Sequence, residues 1–246
     1  VNRQAQAAVL LLIGVALLHA GLTDLYLRYV KAGLRPLLLG AGTLLAVTAL
    51  MTAWYEWKRA RRNEQEVCTD DEAREHAHRE PLISWLLVLP LFALMLVAPP
   101  ALGSYSAMRT GTALQPPYGY AKLPTGAPVP ISLVDYAGRA YYDHGHSLKG
   151  RSVRITGFVA VARSGAPYLV RMALNCCAAD AQPVKIGLTG NIPPVLQPNA
   201  WLEVTGRYTA KRTRDPVNNG PIPFLQVTEA KPAPTPHDPY DETWNN

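Results

Sequence analysis

The residues best suited to chemistry lie in one short block, Arg171-Met172-Ala173-Leu174-Asn175-Cys176-Cys177-Ala178-Ala179-Asp180. Two adjacent cysteines follow an apolar run that reads as a strand, with Asp180 three residues beyond Cys177 and Arg171 five before Cys176. This pattern admits three chemistries. Both thiols can be buried and structural, since free cysteine is among the most buried residue types. They can form a vicinal disulfide, which is strained because consecutive Cα atoms lie only about 3.8 Å apart, closer than disulfides prefer. A bond of that kind suits a switch better than a staple. They can also bind a soft metal or metalloid, for which thiolates are the preferred ligands. Two thiolates do not close a zinc site, so His144 and His146 are the weak candidates for further ligands. In Asp143-His144-Gly145-His146-Ser147 those imidazoles also suit a simple turn. Arg171, Cys176, Cys177 and Asp180 are therefore the candidate site residues, and the cofactor is left open. No nucleophile-and-base motif, phosphate loop, zinc-protease helix or paired-carboxylate pattern occurs, so the chain reads as a non-enzyme.

The elements that must position this block are uneven in character. Of 246 residues only 17% are charged, against about 25% in ordinary soluble domains. Three long windows near the N-terminus carry almost no charge. Spans over residues 5–23, 36–55 and 82–98 are long enough to cross a bilayer core, which takes roughly 17–25 apolar residues as helix. Pro90 is expected to kink the third. A cleaved signal peptide is a poor reading of the first window, whose end offers no small-x-small cleavage site. The loop between the first two spans carries Arg28, Lys31 and Arg35. The loop 56–81 carries Lys58, Arg59, Arg61, Arg62, Arg74 and Arg79, so it should be cytoplasmic and the chain after residue 98 extracytoplasmic. Tyr26, Tyr29, Trp54, Tyr55, Trp57 and Trp85 fall at the span ends as interfacial anchors. Cys68, His76 and His78 lie in the cytoplasmic loop, where a solvated, partly helical loop is the plainer reading than a metal site.

After this membrane region, residues 1–100, the chain changes. Residues 101–130 are rich in Pro, Gly and Tyr and read as an extracytoplasmic linker. Ser132 with Asp135 three residues on resembles a capping box opening a short amphipathic helix. From Ser152 the period becomes two, and five strands follow, around 152–159, 168–174, 184–188, 201–208 and 224–228. Gly157 and Gly206 inside strands suggest bulges or barrel corners. The sequence thus predicts three transmembrane helices followed by a small all-β, OB-like barrel over 131–230, with one short helix before it and a disordered Pro-rich tail over 231–246. A small sandwich is the alternative. The domain is basic, with 14 Lys+Arg against 9 Asp+Glu over 101–246. Its location outside the cytoplasm nonetheless argues against nucleic acid as a partner.

With these residues in view, the chain resembles the YcgQ-like family of membrane proteins. The resemblance runs through the paired N-terminal spans with Tyr29-Val30 and a basic residue between them, and through the third span. It continues in Lys149-Gly150-Arg151-x-Val153-x-Ile155-x-Gly157-Phe158-Val159, in Cys176-Cys177-Ala178-Ala179-Asp180-Ala181, and in Trp201-Leu202-x-Val204-x-Gly206. It implies a two-component complex in the cell membrane, in which this chain is an accessory subunit for transport beside a larger permease-like integral membrane protein. The barrel would then cap the permease or meet its substrate. The rival reading is a stand-alone membrane-anchored protein that uses Cys176 and Cys177 for thiol redox chemistry or soft-metal binding.

Overall fold

The structure is a computed structural model that describes residues 3–66, 89, 92, 93, 96 and 100–242. It divides into two compact units. One comprises residues 1–26 and 32–100, the other Leu27–Lys31 and Ala101–Asn246.

The first unit is built from helices α1 (Arg3–Leu22) and α2 (Arg35–Glu66). Both contain stretches long and apolar enough to cross a membrane, Ala5–Leu22 and Ala32–Arg59, and few of those residues are buried within the fold. The two helices run antiparallel. Arg3 pairs with Glu56 at 3.1 Å at one end, and Arg35 donates to the Gly21 carbonyl at 3.1 Å at the other. Between these ties the backbones nearly touch: a Cβ on Gly14 would meet Ala46 N and Gly42 O at 2.9 Å. Such close approach of small residues lets the two helices pack backbone to backbone. The helix α2 outruns the span 36–55 read from the sequence. Its 32 residues measure about 48 Å against a hydrocarbon core of about 30 Å. Residues 56–66, the start of the partly helical loop expected there, are helical, as their Glu, Lys, Arg, Gln and Ala content favours. There Lys58 and Arg61 stack on Trp54 and Trp57. Of the third expected span, Leu89, Phe92, Ala93 and Leu96 are helical. The rest of that span, and the stretch holding Cys68, His76 and His78, lie outside the described residues.

The second unit is a closed barrel of five strands: β2 (Ser152–Val161), β3 (Pro167–Leu174), β4 (Gln182–Gly190), β5 (Trp201–Arg214) and β6 (Pro221–Pro232). Round the barrel the order is β2-β5-β6-β4-β3 and back to β2. All contacts are antiparallel except β4 with β6. That connectivity is the OB-like arrangement. β5 and β6 are far longer than the apolar alternation suggests: β5 runs on through the exposed Lys211, Arg212 and Arg214, while the stretch of β6 paired with it buries Ile222 and Leu225. Register shifts between Thr205 and Gly206 and between Tyr208 and Arg212 interrupt the ladder, as bulges that bend and twist a strand do. A Cβ on Gly206 would sit 2.5 Å from the Gln226 carbonyl, so only glycine fits.

Before β2 lies helix α4 (Leu133–Tyr141), preceded in the chain by α3 (Ser104–Arg109). Ser132 caps α4 by accepting from the Asp135 N–H at 3.0 Å. The Asp135 side chain does not reach back as in a capping box but pairs with Arg139 at 2.9 Å. The apolar face of α4 (Leu133, Tyr136, Ala137, Ala140) packs with Val153, Ile155, Leu169, Ile186, Val204 and Leu225 in the main core. It touches all five barrel strands and so closes one end.

Two expectations are corrected here. The segment 101–130 is not merely a linker: it contributes α3, the edge strand β1 (Val129–Pro130) parallel to β2, and buried Ala107, Thr112, Leu114 and Val129. The stretch from Lys231 onward is ordered as far as it is described. Residues up to Pro232 continue β6, and β7 (Tyr240–Glu242) adds to β3 in parallel. The reason is Arg171, whose guanidinium pairs with Asp241 at 2.9 Å and donates to the carbonyls of Asp238 and Tyr240.

Candidate functional site

Strand β3 is apolar on both faces because α4 and the barrel interior cover one side and residues of the second, smaller core cover the other. It stops at Leu174, where the chain turns back toward β4. The turn is organised by one carboxylate. Asp180 accepts from the N–H groups of Asn175 (3.1 Å), Cys176 (2.8 Å) and Cys177 (3.4 Å). Residues Ala178–Asp180 form a single 3-10 turn beneath it. The outer side of the turn is held by main chain from far away. The Lys31 N–H donates to the Cys176 carbonyl at 3.1 Å and the Ala178 N–H to the Tyr29 carbonyl at 2.7 Å, making an antiparallel bridge between Val30 and Cys177. Tyr240 adds to the clasp: its hydroxyl donates to the Arg28 carbonyl at 3.0 Å and accepts from the Leu102 N–H at 3.1 Å.

With backbone polar groups satisfied on both sides, the two side chains are left for other work. Cys176 is exposed and Cys177 half-buried. Their Sγ atoms lie 3.7 Å apart, in hydrogen-bond contact and not covalently joined. Two sulfurs bound at about 2.3 Å to one tetrahedral ion would lie about 3.8 Å apart, so the pair already spans one edge of such a tetrahedron. One sulfur or carboxylate atom from each of Cys176, Cys177 and Asp180 lies within 4.8 Å of the others. They form the one His/Cys/Asp/Glu group of metal-binding dimensions among the described residues. The hydrogen bond to Asp180, with Cys177 next in effect, pushes the Cys176 thiol up to about 11. Burial pulls the Asp180 carboxyl upward, but hydrogen bonds from the Cys176 thiol and the turn's backbone outweigh it and hold the group below its usual range. At neutral pH the Cys176 thiol is thus protonated, and ligation must displace that proton.

The other candidates serve elsewhere. Arg171 spends its hydrogen bonds on β7, and its guanidinium lies 5.1 Å from the Trp201 ring. It orders the C-terminal strand instead of facing the sulfurs. His144 and His146 occupy the turn between α4 and β2. His144 and Gly145 are left-handed there, and Asp143 accepts from the Ser147 N–H at 2.7 Å. They belong to no metal-sized cluster among the described residues. The spacing argument missed the strip Tyr29–Lys31, which has no strand pattern of its own. It also missed the buried pair of Lys185 with Asp215 at 2.7 Å.

Residues 137–241 match the family described as DUF1980 C-terminal domain. The matched stretch runs from within α4 to β7 and holds Arg171, Cys176, Cys177, Asp180 and Asp241. No curated protein and no solved structure matches the chain.

Proposed function

We propose that the protein is membrane-anchored and presents a reduced, adjacent thiol pair on an extracytoplasmic OB-like barrel to a soft metal ion or metalloid. The observation that carries this reading is the 3.7 Å separation of the Cys176 and Cys177 sulfurs, at an exposed strand end braced by Asp180 on one side and Tyr29–Lys31 on the other. Thiolates select soft ions such as Cu(I) and borderline ones such as zinc. Sidedness draws on charge and connectivity. The basic cluster Lys58, Arg59, Arg61 and Arg62 favours the cytoplasm, which leaves the turn between α1 and α2 outside. Within that turn, Leu27–Lys31 belongs to the same compact unit as the barrel.

The test is a titration of the full chain, reduced and in detergent, with Cd(II), followed by the ultraviolet sulfur-to-metal charge-transfer band. One equivalent should bind, and Cys176→Ser or Cys177→Ser should each weaken it about 100-fold or more, a quarter share of a four-ligand structural site. Unchanged binding in the double variant removes the reading.

The permease-subunit reading stands beside it on the sequence resemblance, and the exposed apolar surfaces of α1 and α2 are what a membrane partner would cover. Purification from native membrane separates the two. A polytopic protein recovered at near-equal amount supports a two-component complex, whereas the chain alone with intact metal binding supports the self-contained protein.

A further inference from the structure

The opposite end of β3 from the thiols carries a second feature. Here the β2–β3 hairpin, the β5–β6 loop and α3 surround an open cavity of about 780 Å³, within the roughly 300–1,000 Å³ of small-molecule sites. The hairpin and loop are the ones with which OB barrels grip ligands. The walls are apolar and aromatic, from Tyr105, Met108, Tyr168 and Val217. The lining's two charged residues are Arg109 and Arg163, and it contains no carboxylate. Arg109 already lies flat on Tyr105, 4.6 Å from the ring centroid. Arg212 and Arg214, both exposed, stand on the strand that leads into the β5–β6 loop.

This end is also locked from behind. The Lys185 and Asp215 side chains are 1% and 0% exposed. Asp215 accepts from Lys185 Nζ, from the Thr112 N–H at 2.9 Å and from the Val217 N–H at 2.9 Å, while Lys185 also donates to the Thr110 carbonyl at 2.9 Å. One buried ion pair therefore ties together β4, the end of α3 and the β5–β6 loop, which supply two of the cavity's walls. A buried pair is poor value for stability compared with an apolar one, but it fixes loop geometry as a preorganised site needs.

We infer that this cavity binds a phosphate monoester carried on an apolar or aromatic body. Two arginines with no lining carboxylate ask for about two negative charges, which a phosphate monoester carries near neutral pH. The guanidinium fork matches phosphate oxygens, and the tyrosines, Met108 and Val217 take the organic part. The inference is independent of the thiol reading.

The test is calorimetric titration of the full chain in phosphatidylcholine nanodiscs at low ionic strength, with phenyl phosphate, inorganic phosphate and benzyl alcohol as probes. Phenyl phosphate should bind one-to-one and more tightly than either other probe. Arg163→Gln and Arg109→Gln should each weaken it about tenfold or more, as loss of a charge-assisted contact does. Arg207→Gln, on β5 outside the cavity lining, should not. An unchanged near-ultraviolet circular dichroism spectrum shows that the variants fold. Nanodiscs containing phosphatidate then identify the source of the phosphate: competition with phenyl phosphate marks a lipid headgroup, and its absence marks a soluble ester. No saturable binding, affinity no better than that of inorganic phosphate, or indifference to both arginine changes overturns the inference.

Discussion

The two ends of strand β3 are built on opposite plans. At the Pro167 end, charge is buried behind the surface: the ion pair Lys185–Asp215 holds the end of α3 and the β5–β6 loop beside a cavity lined by the exposed Arg109 and Arg163. At the Leu174 end the ion pair Arg171–Asp241 fastens β7 to β3 but does not hold the thiol turn. A half-exposed carboxylate and borrowed main chain hold the turn, and what faces outward is the thiol pair Cys176 and Cys177. At one end a buried ion pair fixes the loop, and at the other a carboxylate together with backbone hydrogen bonds from Tyr29–Lys31 fixes the turn. The difference teaches that the same strand can carry two unlike sites because each draws its support from different distant segments, residues 110–113 in one case and 29–31 in the other.

The comparison breaks most visibly at the buried pair. Lys185→Met leaves buried Asp215 with its backbone donors Thr112 and Val217 but without its cation and should cost about 3–5 kcal/mol, read as a large fall in the barrel's thermal midpoint by near-ultraviolet circular dichroism. Asp215→Leu added to it should recover most of that loss. If the ends are independent, the recovered double variant keeps wild-type thiol alkylation while its arginine loops loosen.

Asp180→Ala probes the other end and should cost about 1 kcal/mol, as for loss of a helix cap. Its sharper signature is in pH. The Cys176 thiol sits near 11 because Asp180 is beside it, so alkylation should climb only as pH approaches that value. Removing the carboxylate lowers the thiol pKa, and the iodoacetamide rate profile should move to lower pH. For the same reason Cd(II) affinity of the unaltered protein should rise with pH throughout the neutral range, by about tenfold per unit for the proton lost from Cys176. A profile that stays put in Asp180→Ala separates the carboxylate from the thiol.

The smallest effect should come from a surface pair away from both ends. Arg154 and Glu203 lie 3.9 Å apart across β2 and β5 with both side chains well exposed. Glu203→Gln should shift stability by less than about 1 kcal/mol and leave both sites unchanged, which sets the floor for the other measurements.

Much of the barrel was legible because its strands alternate strongly and its glycines mark real constraints. The cap at Ser132, the five strands and the bend at Gly206 all follow from short-range pattern. The outer half of β5 does not, since Arg207, Lys211, Arg212 and Arg214 are exposed there, and the start of β6 does not, since Pro221 and Pro223 break the strand pattern around the buried Ile222. The grouping of Cys176, Cys177 and Asp180 was readable because it is local. Lys185 was not: between Val184 and Ile186 it looks like a solvent-facing position, and only residues 110–113 and Asp215, remote in sequence, bury it. Arg171 misled for the mirror reason. It is near the cysteines in sequence, but its partner Asp241 lies seventy positions away.

The bridge between Val30 and Cys177 also sets an order of events during synthesis. Lys31 emerges from the ribosome 145 residues before its acceptor, the carbonyl of Cys176. The turn between the first two helices must therefore wait for those 145 residues before this bridge can close. The thiol strip closes on it only then, and β7 later still. A fragment beginning at Ala101 would have every barrel strand and still lack this clasp, so its cysteines would not report on those of the whole protein.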